Sequence, residues 1–130
     1  MTRILVVDDN AGVRITARAL LEAAGFQVVE AESGAAALRV LRSEHADVVL
    51  TDIFMPDTDG IELIHGLRRE SPDLPIVAMS GGGKDVLAVA RSFGAAGIVQ
   101  KPLTRRKVVG AIRRAIAPPR AADTEGEHGR

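Results

Sequence analysis

The chain has 130 residues, 17 Lys+Arg against 17 Asp+Glu, 46% apolar residues, 2% aromatics and no cysteine. One domain of this length buries roughly 65–70% of the surface its unfolded chain exposes, which supports a real core but not two full domains. The lack of Cys excludes disulfide scaffolds, thiolate metal sites and cysteine nucleophiles. Zero formal charge, with three Phe and no Tyr or Trp, argues against nucleic-acid binding by charge or by base stacking.

The apolar run Ile4–Val7 stops at Asp8-Asp9. It is too short for a secretory signal or for the ~18 apolar residues of a membrane span, so the expectation is a soluble, cytoplasmic chain with no membrane partner. The same run reads as a buried strand. Val13, Ala17, Leu20, Leu21 and Ala24 follow with helical spacing, and Gly25 stands where a helix ends. Val28-Val29 is the second strand; Ser33 then caps a helix carrying Ala37, Leu38 and Leu41. Val48–Leu50 is the third strand, followed by a helix marked by Ile61, Ile64 and Leu67. Ile76–Met79 is the fourth strand, and Val86, Leu87, Val89 and Ala90 mark a weaker helix that ends near Gly94. Ile98-Val99 is the fifth strand, and Thr104 caps a last helix carrying Val108, Val109, Ile112 and Ile116.

Five alternating strand and helix units require right-handed crossovers and a parallel sheet covered on both faces, a doubly wound α/β domain over residues 1–117. From Pro118-Pro119 the apolar periodicity stops, so 118–130 reads as a disordered tail or a linker stub. His45 and His65 fall in helical segments and His128 in the tail, without the common spacing a histidine metal site needs. Residues 101–117 carry Lys101, Arg105, Arg106, Lys107, Arg113 and Arg114 and no acid, read here as a solvated basic helix face.

Ligands of such sheets bind beyond the carboxyl ends of the strands, where strand order reverses. Asp8 and Asp9 follow the first strand there and Asp52 the third. Like charges ~4 Å apart repel by about 4 kcal/mol at an effective dielectric of 20, so the trio needs a cation or raised pKa values. Oxygen ligands alone point to a hard ion, Mg²⁺ first. Any single acid at a strand end is more often a solvated loop residue. Here Ser80 after the fourth strand and Lys101 after the fifth bring a hydroxyl and a cation to the same edge. Two carboxylates for a metal, a third as nucleophile, a lysine and a hydroxyl make a coherent phosphoryl-transfer set.

Four motifs carry a resemblance: Ile4-Leu5-Val6-Val7-Asp8-Asp9, Asp52-Ile53-Phe54-Met55-Pro56-Asp57-Thr58-Asp59-Gly60, Ala78-Met79-Ser80 and Lys101-Pro102-Leu103. In this order and spacing, residues 3–117 resemble the receiver (CheY-like) domain of two-component response regulators. The resemblance implies a flavodoxin-like (βα)5 fold with parallel strand order 2-1-3-4-5. It makes Asp52 the phosphoacceptor and assigns Asp8, Asp9, Asp52 and the Phe54 backbone carbonyl to Mg²⁺, with Mn²⁺ as a substitute. Ser80 takes the switch-hydroxyl place, Lys101 the phosphate-contacting place, and Lys101-Pro102 the cis-peptide place. Met55, Pro56 and Gly60 read as turn and packing residues, Asp57 and Asp59 as solvated turn acids.

The function so implied is a phosphoacceptor signalling domain that catalyses its own phosphorylation and slow dephosphorylation rather than acting as an enzyme on a separate substrate. A sensor histidine kinase or histidine phosphotransfer protein supplies the phosphoryl group. A protein partner then reads the face of helix four, strand five and helix five. A phosphorelay intermediate, a phosphate sink and a receiver excised from a longer regulator are the alternatives.

Two positions depart from the family pattern. Ile98 stands where an aromatic switch residue is usual, so the response is expected to be weaker or differently routed. Gly81-Gly82-Gly83 follows the switch hydroxyl, leaving no side chain at Gly82 to position or exclude a hydrolytic water, whereas Phe54, two past Asp52, is bulky enough to shield it. Gly83-Lys84 is not a phosphate loop, because Ala78 and Asp85 stand where that motif needs Gly and Ser or Thr.

Overall fold

The computed structural model describes residues 1–55, 60–82 and 84–117, apart from the side chains of residues 61, 84 and 87. In chain order the elements are β1 (Arg3–Val7), α1 (Ala11–Ala23), β2 (Gln27–Ala31), α2 (Gly34–Ser43), β3 (Val48–Asp52), α3 (Gly60–Glu70), β4 (Ile76–Ser80), α4 (Lys84–Ser92), β5 (Gly97–Gln100) and α5 (Arg105–Ile116). The strands form one parallel sheet in the order β2-β1-β3-β4-β5. This is the expected doubly wound architecture. Each strand is one to three residues longer than its apolar run, because ladder hydrogen bonds continue beyond the fully apolar positions.

Alternation along the strands divides the core into two layers. Leu5, Val7, Val49, Ile76 and Ala78 face α2, α3 and α4, where Ala37, Ile64, Leu67 and Ala90 close the layer. Ile4, Val6, Leu50, Val77, Met79 and Val99 face α1 and α5, against Ala17, Leu21, Val108 and Ile112. Ser33 Oγ accepts from the Ala36 amide at 3.1 Å and Thr104 Oγ1 from the Lys107 amide at 3.3 Å, as their cap positions require. Asn10 caps α1 in the same way, accepting from the Val13 amide at 3.1 Å. Gly25, with φ +95°, ends that helix in the left-handed region that favours glycine.

One expectation is corrected. His45 is not helical: α2 ends at Ser43, and His45 lies in the following connection with Nε2 2.7 Å from Asp47 Oδ1. Val89 lies within α4, as its spacing predicts, and is 46% exposed. It sits about 100° around α4 from the buried Ala90, and a helix this short presents only one stripe to the sheet. Ile61, Leu87, Pro56, Asp57, Asp59 and the 118–130 tail lie outside the described residues or side chains.

Strand register positions the site. Val7 pairs with Thr51, Asp52 with Met79 and Ser80 with Gln100, so the residues that end β1, β3, β4 and β5 finish at one level. From β1 the chain moves outward to β2 and returns on the other side at β3, which makes β1 and β3 the switch point.

Candidate functional site

Asp8, Asp9 and Asp52 each present a carboxylate oxygen within 4.8 Å of the others. Asp8 and Asp52 are almost completely buried, whereas Asp9 is exposed. Lys101 reaches in from the end of β5, its Nζ 2.9 Å from Asp8 Oδ2 and 3.3 Å from Asp52 Oδ1. Asp8 Oδ1 accepts from the Asn10 amide at 2.9 Å, so both oxygens of this buried carboxylate are bonded.

Burial raises the Asp52 pKa, the negative charge of Asp8 raises it further, and Lys101 opposes both. Burial acts to lower the Lys101 pKa, but its hydrogen bond to Asp8 and the charges of Asp52 and Asp8 outweigh this and hold the ammonium above the ordinary lysine range. Formally, three carboxylates and one ammonium leave the cluster at −2. This oxygen-only trio, with its net negative charge, would suit a divalent hard ion such as Mg²⁺ in both donor type and charge.

Ser80 is buried at the end of β4, its Oγ accepting from the Gly82 amide at 2.9 Å. Its carbonyl accepts from the Lys101 amide at 2.8 Å, tying the ends of β4 and β5 together. The Lys101-Pro102 peptide is cis. The Phe54 side chain is 59% exposed, and its Cε2 lies 3.8 Å from where a Cβ on Gly82 would stand. Gly60 crosses the backbone after β3 so closely that a Cβ there would fall 2.1 Å from the Asp52 carbonyl oxygen. Met55 is buried just after β3. Ile98 is half-buried and packs inward against the α2–α4 layer.

The sequence reading missed Arg14, Asn10 and Gln100. Arg14 Nη1 donates to the Asp8 carbonyl at 2.7 Å, and Gln100 Nε2 donates to the Gly82 carbonyl at 3.3 Å. Asn10 was detectable as a cap residue ahead of an apolar helix. The contacts of Arg14 and Gln100 depend on tertiary placement and leave no periodic signal.

Residues 4–113 match the family model of the response regulator receiver domain. The chain belongs to that family. This receiver is 33% identical over 118 residues to the DNA-binding transcriptional regulator NtrC of Rhizobium meliloti, covering 90% of the present chain and 24% of NtrC. It is 37% identical over 107 residues to the CAI-1 autoinducer sensor kinase/phosphatase CqsS of Vibrio cholerae, covering 79% of the chain and 16% of CqsS. The receiver therefore spans a quarter or less of either relative. Among solved structures, the response regulator TrrA of Thermotoga maritima in complex with Mg²⁺-BeF superposes with a TM-score of 0.81 at 27% identity, covering 88% of this chain and 99% of that one.

Proposed function

We propose that Asp52 is the phosphoacceptor of this receiver, with Asp8, Asp9, Asp52 and the Phe54 carbonyl holding Mg²⁺, or Mn²⁺ in its place. The observation that carries the reading is Asp52 itself: a buried carboxylate at the switch point, 3.3 Å from the Lys101 ammonium and inside an acidic trio. The metal, when bound, supplies positive charge that screens the acids from an incoming phosphoryl group.

The remaining chemistry belongs to the chain. An Asp52 oxygen attacks the phosphorus of a phosphohistidine in line, forming a P–O bond. The P–N bond breaks, and its electron pair leaves with the imidazole, which picks up a proton. Lys101 neutralises the phosphoryl oxygens. Asp52 passes from one negative charge to about two and gains three strong acceptors. Ser80 then has reason to leave the Gly82 amide and donate to the phosphoryl group, displacing the loop after β4 and shifting the population of the α4–β5–α5 face.

The donor is a sensor histidine kinase or a histidine phosphotransfer protein, and a protein partner reads the shifted face. Among the described residues no helix is long and apolar enough to cross a membrane. Cytoplasmic action by protein contact, without direct nucleic-acid binding, completes the reading.

The similarity to CqsS, a sensor kinase/phosphatase, favours one further reading, a relay intermediate or phosphate sink in which the chemistry is itself the output. The short span relative to NtrC likewise fits a receiver belonging to a longer regulator. Passage of the label from Asp52 to a second histidine protein would favour the relay, and the reading frame beyond Arg130 decides the longer regulator. The primary test is labelling with a small-molecule phosphodonor and Mg²⁺: wild type should take up label, Asp52→Asn should not, and label that survives the substitution overturns the assignment.

A further inference from the structure

Asp9 is the exposed member of the acidic trio, and among the described residues no donor is bonded to its carboxylate. Asp8, in contrast, is fixed through both carboxylate oxygens and through its amide, which donates to the Ala31 carbonyl at 3.1 Å. The direction of Asp9 therefore depends on its backbone, above all on the peptide plane that joins it to Asp8. Rotation of that plane would swing the Cα–Cβ bond of Asp9 and carry its carboxylate out of the trio.

The oxygen of that plane is the Asp8 carbonyl, which accepts from Arg14 Nη1 at 2.7 Å. The same guanidinium pairs through Nε with Glu30 Oε1 at 3.1 Å. Glu30 also takes Arg18, which in turn donates to the Val28 carbonyl at 2.6 Å. Arg14 and Glu30 are 17% and 24% exposed, enough burial to limit screening. A guanidinium can bond two acceptors in a fixed fork, which an ammonium on a flexible stem cannot do. The result is a chain of contacts from β2 through Glu30 and Arg14 to the Asp8–Asp9 peptide.

We propose that Arg14 is a positioning residue for Asp9 in metal binding, held in place by Glu30. The inference rests on the reading of Asp8, Asp9 and Asp52 as the Mg²⁺ site. Charge and position make opposite predictions here. Removing a cation near an acidic site strengthens Mg²⁺ binding if only charge matters, and weakens it if Asp9 loses its orientation.

The test is calorimetric titration of the full chain with Mg²⁺, without a phosphodonor. Arg14→Met, which keeps the apolar stem, should weaken binding by about tenfold, the scale of effect seen for residues that orient metal ligands. Glu30→Gln should shift it in the same direction by less, and Arg14→Lys should lie between Arg14→Met and wild type. Ser33→Ala, which removes the distant α2 cap, is the control: it should lower the urea midpoint and leave Mg²⁺ affinity unchanged. Equal or tighter Mg²⁺ binding by Arg14→Met overturns the inference. If Arg14→Met fails to fold, wild-type affinity in Arg14→Lys overturns it equally. Wild-type Mg²⁺ affinity in Asp9→Asn overturns instead the site reading beneath it.

Discussion

Replacing Asp52 with Asn removes one negative charge from a crowded site and leaves shape and buried volume nearly unchanged. At an effective dielectric of 20, a unit charge at 4.8 Å, the outer limit of separation within the trio, contributes about 3.5 kcal/mol of repulsion, and one 3.3 Å away about 5 kcal/mol of attraction. Asp9 is exposed and screened, so the two acids do little more than balance the lysine, and the cost of burying the Asp52 carboxylate sets a net destabilisation of about 2 kcal/mol. The Asn variant should be more stable than wild type by about 2 kcal/mol at neutral pH in chelator, or roughly 7 °C in melting temperature for a domain of this size.

The pH dependence has a definite sign. Burial and Asp8 raise the folded pKa of Asp52 above its unfolded value. The destabilisation is absent below the ordinary aspartate value of about 3.9, where both states are protonated, and grows as pH rises toward the elevated folded value. Urea unfolding of both proteins across pH measures this directly: the advantage of the variant should fall away as pH drops through that window. Mg²⁺ should narrow the difference or reverse it, because an ion at 100 times its dissociation constant adds about 2.7 kcal/mol to the protein that binds it. A variant no more stable than wild type in chelator at neutral pH, or one whose advantage persists undiminished at about pH 3, refutes the electrostatic account.

Three further outcomes are expected. Gly60→Ala places a Cβ 2.1 Å from the Asp52 carbonyl oxygen and 2.5 Å from Ile53 Cα, both backbone atoms, and should cost about 3 kcal/mol by urea denaturation; a change under about 1 kcal/mol would show that the turn yields easily. Phe54→Asn replaces the exposed ring beside Gly82 and should shorten the lifetime of the phosphoryl label, whereas an unchanged rate of loss rules out shielding. With a phosphoryl mimic bound, chemical-shift changes around Ile98 should be small, since an inward aliphatic side chain has no ring to swing; large changes confined there contradict this.

What the sequence disclosed follows the range of the interactions. The strands and helices rest on periodicity and local caps, so Ile4–Val7, Ser33 and Thr104 were readable one segment at a time. Asp8, Asp9, Asp52, Ser80 and Lys101 were readable because strand ends in a doubly wound sheet must share an edge, and the structure brings them together at β1, β3, β4 and β5. His45 was misread because nothing local marks the end of α2: no glycine or proline follows Ser43 before the chain turns toward β3. The Arg14 bond to the Asp8 carbonyl and the Gly60 crossing depend on distances between segments that no residue pattern encodes.

Phosphoryl chemistry at Asp52 leaves a covalent mark that can be located by residue. Its most direct test is to phosphorylate the protein with a small-molecule donor and Mg²⁺, reduce the acyl phosphate with borohydride to homoserine, and locate the reduced residue by mass spectrometry. Homoserine is expected at position 52 and nowhere else. Homoserine at position 8, 9, 57 or 59, with an intact aspartate at 52, would contradict it.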